Sequence, residues 1–483
     1  LQMAHAKADF ELYLKQYKNS AGAPRVKQRL DALLTAAKDP TGKIAKESKK
    51  RPVDWRSSGN IYASYRTDKT KISTSPVEIE TKSAVTSFNA QAQRRSETSD
   101  FRIRYSGSYA DNLTGARNSE LITNYFYFDY RSKVDNWAAR VGRQSQNSGG
   151  VLGRFDGLSA DYILSPKWKV NAVSGIPVNY TNSNEIKMDR YFYGGNVDYT
   201  ATKYLTYNLF SLQQQVNGIT DRTSVGGEIR YLHPRHSIFA LVDYDVSYNE
   251  LNALILSNGW RFDNQATLNF VYDFRKSPIL TTSNALQGQS VAAVEDLLKI
   301  LTEDQIRQLA LDRTAEHTSY SVAGTYPLGK NWVVYGDIVL SNLHGTPATT
   351  LGTPIAATPD TGNEYYYTAQ LVRTNLLTDS DIATFGVRFA DTSAYDKTTY
   401  SLSYRYPLSQ STRLIPRLDI DEQNLADGTE VYTLRPSMRI EYRPWRRIRF
   451  ELEGGAAKSE FRNTVTPRDE TTSFYSLGLI ADF

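Results

Sequence analysis

The most constraining feature of this chain is the alternation in its last segment, Tyr-Ser-Leu-Gly-Leu-Ile-Ala-Asp-Phe. Apolar or aromatic side chains recur there at every second position, at Tyr475, Leu477, Leu479 and Phe483. Successive side chains of a β-strand point to opposite faces, so these four residues share one face. A strand that meets lipid on one side and water on the other requires this period of two. The segment therefore predicts a membrane-spanning strand whose lipid side carries these residues.

The composition favours membrane-spanning strands and excludes membrane-spanning helices. No run in the 483 residues approaches the ~20 apolar residues that a membrane helix needs. The mean hydropathy of −0.50 suits a barrel, because only alternate strand residues meet lipid. The 33 tyrosines suit aromatic girdles at the two membrane interfaces, and the absence of cysteine suits an oxidising compartment. The net charge of +5 is small for this length and gives no indication of nucleic-acid binding.

Strand-like alternation continues through the chain from Ser58 onwards, in segments of roughly ten residues that make about 22 strands. The connections alternate in length, as expected where short turns lie on one side of a membrane and longer loops on the other. Long connections are expected around residues 67–81, 111–119, 145–156, 177–189, 276–317, 343–363 and 461–470. We predict an all-β transmembrane fold, an antiparallel β-barrel of roughly 22 strands over residues 58–483.

The alternating segment that ends on an aromatic residue resembles the closing strand of bacterial outer-membrane β-barrels. The resemblance implies localisation in the bacterial outer membrane, with membrane lipid and lipopolysaccharide as surroundings. It also implies that the barrel-assembly machinery reads this strand as an assembly signal. The residues of that predicted signal are Tyr475, Leu477, Leu479 and Phe483.

Residues 1–40 differ from the rest because their apolar residues recur at helical spacing. The two groups are Phe10, Leu14 and Tyr17, followed by Val26, Leu30, Leu33 and Leu34. Pro24 is placed to open the second helix. The segment resembles the last helices of a tetratricopeptide repeat array, which implies a periplasmic domain with further repeats before Leu1. An independent helical hairpin is the alternative, and residues 41–57 form a basic linker to the barrel.

One face of the predicted strands is rich in charged residues. An arginine on the lipid face costs about 2–4 kcal/mol near the membrane centre, so we expect the charged face to line the lumen. The candidate lumen-lining residues are Arg102, Arg104, Arg388, Arg405, Arg417, Asp419, Arg435, Arg439, Glu441, Arg449 and Glu451. Two interpretations stay open: these charges pair across strands and stiffen the wall, or unpaired members line a path for an anionic or sugar-like solute.

The longest predicted connection, residues 276–317, contains apolar residues at helical spacing. The residues expected to form its apolar side are Leu297, Leu298, Leu301, Ile306 and Leu309. Thr302, followed by Glu303 and Asp304, predicts a break and an N-terminal cap between two helices. Because known barrels of about 22 strands are plugged, we expect this gating insert to act as a plug or lid. A helix that rests on the outer rim is the alternative.

The segment from Ala139 to Gly157 carries arginines around a Gly149-Gly150 pair. It resembles the strand-loop-strand pattern of alginate-export-type and porin-type barrels. The glycines would allow a tightly folded loop, and the arginines would project toward the pore.

Repeat-like helices before a large barrel resemble the outer-membrane exporters of poly-N-acetylglucosamine and cellulose. The resemblance implies a gated conduit for a polymer, most simply a polysaccharide, with periplasmic or inner-membrane export components as partners. Those exporters close with fewer strands than this chain. A structural barrel that anchors a periplasmic or surface assembly is the alternative, and a diffusion porin for small solutes is the third hypothesis.

The sequence offers no constellation for catalysis. Only five histidines occur, and no nucleophile, histidine and acid stand in a recognisable order. No phosphate-binding loop and no zinc or calcium spacing is present. We therefore expect a protein that is not an enzyme and that needs neither cofactor nor metal.

Overall fold

The computed structural model describes residues 10–11, 13–15, 20, 22–38, 55–115, 119–178 and 188–483. Two compact units are separated at Val53. The first contains a helix, α1 (Ala23–Lys38), with Pro24 in its first turn, where a backbone N–H is not needed. Of the predicted helix around Phe10, residues 10–11 and 13–15 are described and are helical, whereas residues 41–54 of the predicted linker lie outside the described residues.

The second unit is a sheet of 22 strands, and the predicted fold class is confirmed. The strands are β1 Trp55–Ile72, β2 Ile79–Arg95, β3 Ser99–Asn112, β4 Glu120–Ser132, β5 Trp137–Ser148, β6 Val151–Ile163, β7 Trp168–Pro177, β8 Arg190–Thr200, β9 Leu205–Val216, β10 Ile219–His233, β11 His236–Asp245, β12 Glu250–Arg261, β13 Thr267–Ser277, β14 Ala315–Pro327, β15 Trp332–Leu343, β16 Glu364–Thr374, β17 Ile382–Asp391, β18 Tyr395–Pro407, β19 Thr412–Leu425, β20 Glu430–Trp445, β21 Ile448–Arg462 and β22 Arg468–Asp482.

The sheet is a closed barrel because its last strand pairs with its first. Each strand is antiparallel to its neighbours in sequence, and β22 pairs with β1 from Asn60↔Asp482 to Ile72↔Glu470. Phe483 continues the pairing, since its backbone N–H and C=O both bond to Gly59. Closure satisfies the backbone groups that an open edge would leave unpaired in lipid. Such a barrel belongs in an outer membrane, so the predicted localisation is confirmed at that level.

The two faces of the sheet differ in chemistry, and the pairing register keeps each face continuous from strand to strand. One face, here called the apolar face, carries exposed aromatic and aliphatic side chains such as Tyr475, Leu477 and Phe483. Phe483 stacks on Phe88 at 6.1 Å between ring centroids. The opposite, polar face carries the charged side chains. The role of the last strand as an assembly signal stays a prediction.

Three helical segments interrupt the barrel between β13 and β14. They are a 3₁₀ helix (Thr282–Leu286), α2 (Val294–Leu298) and α3 (Glu303–Asp312). Thr302 caps α3, and its side chain and that of Gln305 form a reciprocal capping box. None of the described helices is long and apolar enough to cross a membrane.

The expectation of a long loop at residues 145–156 is wrong. Strand β5 continues to Ser148, β6 starts at Val151, and only Gly149-Gly150 connects them. Both glycines have positive φ angles, 65° and 82°, which a two-residue hairpin turn requires. Polar residues and glycines in this stretch look like a loop in sequence, yet the two segments form a ladder as far as Ser148↔Val151.

The turn between β16 and β17 is held by one carboxylate, that of the buried Asp381. It accepts hydrogen bonds from the amides of Leu376, Leu377 and Thr378 at 2.6, 2.7 and 2.8 Å, and from the Tyr404 hydroxyl at 2.7 Å. Burial acts to raise the pKa of Asp381, but these four donors together outweigh it and lower that pKa.

Replacing Asp381 with Asn should loosen this turn, because an amide oxygen accepts fewer of the four donors and its NH2 group opposes them. We expect amide hydrogen exchange at residues 376–378 to become roughly tenfold faster, as measured by mass spectrometry. Since the folded pKa is lowered, the carboxylate stabilises the turn at neutral pH and loses this effect as pH falls below the ordinary value of 3.8. Asp379→Asn, at an exposed position in the same turn, is the control. Equal exchange in both variants would contradict the assignment.

Candidate functional site

The polar face lies on the inside of the barrel. The β5–β6 turn leaves the wall, and the Gly149 amide donates to the Glu228 carboxylate on β10 at 2.7 Å. The inner side of a closed sheet is concave, so a hairpin on that side can pass over β7, β8 and β9 and still reach β10. The face of the sheet that carries Glu228 is therefore the inner face. Glu228 belongs to the polar face, whereas its neighbour Ile229 and the cross-strand Leu209 are exposed on the apolar face.

The pairing register places all eleven candidate lumen residues on the polar face. Arg102 and Arg104 lie on β3, next to Gln93 and Gln91 of β2. The other nine lie on β17 to β21: Arg388, Arg405, Arg417, Asp419, Arg435, Arg439, Glu441, Arg449 and Glu451. Their role in lining a solute path stays a prediction.

Several of these charges form ion pairs along the wall. Arg102 contacts Asp129 at 2.5 Å, and the Arg439 guanidinium contacts Glu453 at 2.7 Å. Further pairs join Arg417 to Asp419, Arg435 to Asp421 and Arg449 to Glu451, at 2.9, 2.6 and 2.9 Å. Arg104 instead lies over the ring of Tyr125 at 5.3 Å. Within the described ranges, no ion pair involves Arg388 or Arg405.

The β5–β6 hairpin folds inward at a defined point. Strand β4 pairs with β5 only as far as Phe126↔Arg143, so its first six residues lack a partner on that side. Gly142, with a φ of 119°, lies at this point, and a Cβ there would come within 2.2 Å of the Phe126 carbonyl oxygen. A residue with a Cβ would clash with β4 at this position, so glycine allows β5 to bend away from the wall while it still lies against β4.

A buried ion pair fixes the base of the hairpin. Arg143 donates from Nε and Nη2 to both carboxylate oxygens of Asp156, at 2.8 and 2.7 Å. Its Nη1 reaches the Thr123 carbonyl oxygen at 3.4 Å, in the part of β4 that β5 no longer covers. A two-pronged contact of this kind sets geometry as well as energy, so the base of the hairpin is rigid.

The tip of the hairpin packs against β8, β9 and β10. A Cβ on Gly149 would meet the Asn196 amide nitrogen at 2.3 Å, and one on Gly150 would meet the Phe210 ring at 2.7 Å. Glu228, which holds the Gly149 amide, is itself buried beside Arg230. Val151 and Phe155 of the hairpin form one apolar cluster with Val173, Phe192 and Leu212 of β7, β8 and β9. These contacts hold the tip inside the lumen.

The insert between β13 and β14 has its own hydrophobic core. The buried members are Val216, Leu280, Ala285, Val294, Leu297, Ile306, Leu309 and Ala310. Leu298 and Leu301 pack against this core and are partly buried. Val216 lies on the polar face at the C-terminal end of β9, so the insert covers the inner side of the wall where β9 ends. A gating role for the insert stays a prediction.

Polar contacts tie the insert to the barrel. Ser283 donates from both its amide and its hydroxyl to Asp221, at 2.9 and 3.0 Å, and Arg190 of β8 donates to the other oxygen of the same carboxylate at 2.7 Å. Burial raises the pKa of Tyr248 to about 12, so its hydroxyl stays protonated against Thr282 at 2.7 Å. The insert is therefore docked as a folded element.

Sequence reasoning missed the residues that hold these two segments. Glu228 and Asp221 both lie on β10, Asp221 at a register shift between Thr220 and Arg222, and their partners are 79 and 62 residues away in the chain. No spacing in one sequence signals such distant contacts. Among the described residues, no group of three or more His, Asp or Glu side chains could hold a metal ion.

The fold of this chain is similar to that of several solved structures. The chain resembles the solved structures of OccK1 (OpdK) from Pseudomonas aeruginosa, OccAB3 from Acinetobacter baumannii and a BenF-like porin from Pseudomonas fluorescens Pf-5. Their identities are 8%, 9% and 8%, and their TM-scores 0.41, 0.40 and 0.40. Each match covers 88% of this chain, and 99%, 99% and 98% of the other chain. No family model matches, and no curated protein does.

The prediction of a gated conduit for polysaccharide is wrong: the similarities found are to Occ and Opd proteins and to a BenF-like porin, not to the polymer exporters that the prediction rested on. A physical reason accompanies this result: the β5–β6 hairpin is fixed in the lumen, where a polymer would have to thread. The resemblance to tetratricopeptide repeats also finds no support, since no family model matches.

Proposed function

We propose that this protein is a passive diffusion channel for small hydrophilic solutes. The carrying observation is the fixed hairpin at residues 144–153, which narrows a closed, polar-lined lumen by contacts to Glu228. A lumen of 22 strands without such a segment would be too wide to select by size. A narrowed lumen restricts passage to small molecules.

The proposed path follows the part of the wall that the hairpin and the insert leave free. Both segments contact the polar face of β8, β9 and β10. In the described part of the chain, no hydrogen bond or ion pair joins either segment to β17–β21. Those strands carry nine of the candidate lumen residues, so a solute would move along a wall of arginines and carboxylates.

The orientation forms part of the proposal. Bacterial barrels have short periplasmic turns and longer outer loops. The end of the barrel with turns such as His233–His236 and Trp445–Ile448, here called the short-turn end, would then face the periplasm. The insert and the connection at residues 344–363 would face outward.

Planar-bilayer recording tests this function. The folded protein should give steady single-channel currents, and proteoliposomes should swell in small sugars but not in larger oligosaccharides. Heat-denatured protein in the same detergent is the control for leak. Absence of steps from protein that still migrates as a folded, heat-modifiable barrel would refute the channel and favour a structural barrel.

A further inference from the structure

Four arginines gather on the polar face at the short-turn end of β18–β21. These residues, here called the arginine patch, are Arg405, Arg413, Arg443 and Arg449. Arg413 pairs in register with Glu441, and Glu441 with Glu451. Arg449 is two residues from Glu451 and shares the polar face with it, and Arg443 follows Glu441 by two residues, next to a register shift in β20 between Tyr442 and Trp445.

Arg413 lies at the centre of the arginine patch. Pro407 is its register partner on β18, which places Arg405 one same-face step away on the neighbouring strand. On the other side, Glu441 is the register partner of Arg413, and Arg443 lies two residues further along β20. Arg413 accordingly interacts electrostatically with Arg405, Arg443 and Arg449. Strands about 4.8 Å apart bring such long side chains within reach of one small ligand.

The arginine patch carries more positive than negative charge. Glu451 forms an ion pair with Arg449 at 2.9 Å, and Glu441 lies 3.8 Å from Arg413. Arg405 and Arg443 take part in no ion pair within the described ranges. Four guanidinium groups against two carboxylates leave an excess of two positive charges. Arg413 is 43% exposed in its side chain, so it is accessible from the lumen.

We propose that the arginine patch binds a small dianion at the short-turn end of the lumen. This inference rests on the proposed channel function and specifies a solute class for it. The excess of two charges matches a ligand with two negative charges. Guanidinium groups bind phosphate and carboxylate through paired hydrogen bonds, so phosphate and a short dicarboxylate share the required chemistry.

A monoanion fits the arginine patch less well. It would neutralise half of the excess charge and leave guanidinium groups facing one another along the wall. In the interior of a protein such like-charge contacts are less screened than in water. Binding should therefore be stronger for phosphate or succinate than for acetate, at equal ionic strength.

Titration calorimetry on the detergent-solubilised full chain tests the proposal without requiring conduction. At mildly alkaline pH, phosphate should bind, and Arg413→Gln should raise its dissociation constant about tenfold through loss of a charged hydrogen-bond donor. Succinate in place of phosphate shows whether the site takes both dianions. Arg413→Lys, which keeps the charge but not the planar fork, should have an intermediate effect.

Arg235→Gln is the matched control, because it removes one charge from a turn at the same end, where Arg235 pairs with Asp263 at 2.7 Å. Its phosphate affinity should equal that of the unmodified protein. Three results would overturn the proposed dianion site: undetectable phosphate binding, equal affinities for phosphate and acetate, or an equal loss of phosphate affinity in Arg413→Gln and Arg235→Gln. Failure of the channel would show instead as absent current with phosphate binding intact.

Discussion

Shortening the β5–β6 hairpin should raise the single-channel conductance several-fold. The change replaces residues 146–153 by Asn-Gly between Ser145 and Arg154, which are register partners and can be joined by a two-residue turn. The expected result follows because the removed residues include Gly149 and Gly150, whose contacts place the tip over β8–β10. Conductance in planar bilayers and the swelling rate of proteoliposomes with larger sugars measure the effect.

A second hairpin provides the matched control for this change. Residues 463–467 join β21 to β22 beyond the register pair Phe461↔Arg468. Replacing them by Asn-Gly shortens a connection at the same end of the barrel without touching the hairpin, and conductance should stay unchanged. If both shortened proteins fold as barrels and conduct equally, the β5–β6 hairpin does not narrow the path.

The strands could be predicted from the sequence because alternation is a local property. In β20, Arg439 and Glu441 alternate with Met438, Ile440 and Tyr442, and the structure keeps this separation of faces. A period of two fixes the register wherever one face meets lipid, since a slip by one residue would expose every charge. Strand number followed from the same pattern.

The inward position of the β5–β6 hairpin could not be predicted, because it depends on contacts between residues that are distant in the chain. In sequence, Gly149-Gly150 and the polar residues around it are typical of a loop. Whether such a hairpin continues along the wall or turns inward depends on Arg143, Asp156 and the distant Glu228. Glu228 lies on β10, 79 residues from Gly149, so the local sequence of the hairpin does not indicate this contact.

The function was misjudged for a related reason. The hypothesis of polymer export rested on an architectural resemblance that joined the helices near Pro24 to a large barrel. Architecture alone does not specify what a lumen conducts, because that depends on which segments fill it. The filled side, at β8–β10, and the free side, at β17–β21, are distinguished only by tertiary contacts.

Replacing Leu309 with Asp should unfold the insert while the barrel stays intact. Leu309 is fully buried in the insert core, so the change removes packing worth about 2–5 kcal/mol and buries an unpaired charge. The barrel should persist because its closed hydrogen-bonded ladder does not involve the insert. Trypsin should then cut rapidly after Lys299 and Arg307, while heat-modifiable migration on gels is retained.

Ile300→Asp makes this a test of packing rather than of added charge. Ile300 lies in the same insert with 63% of its surface exposed, so an aspartate there should leave the cleavage rate unchanged. Rapid cleavage in both variants would mean that added charge alone disrupts the insert. Slow cleavage in both would mean that Leu309 does not support its fold. Rapid cleavage confined to Leu309→Asp would establish the insert as a separately packed element on the inner wall, held by its own core and by Asp221.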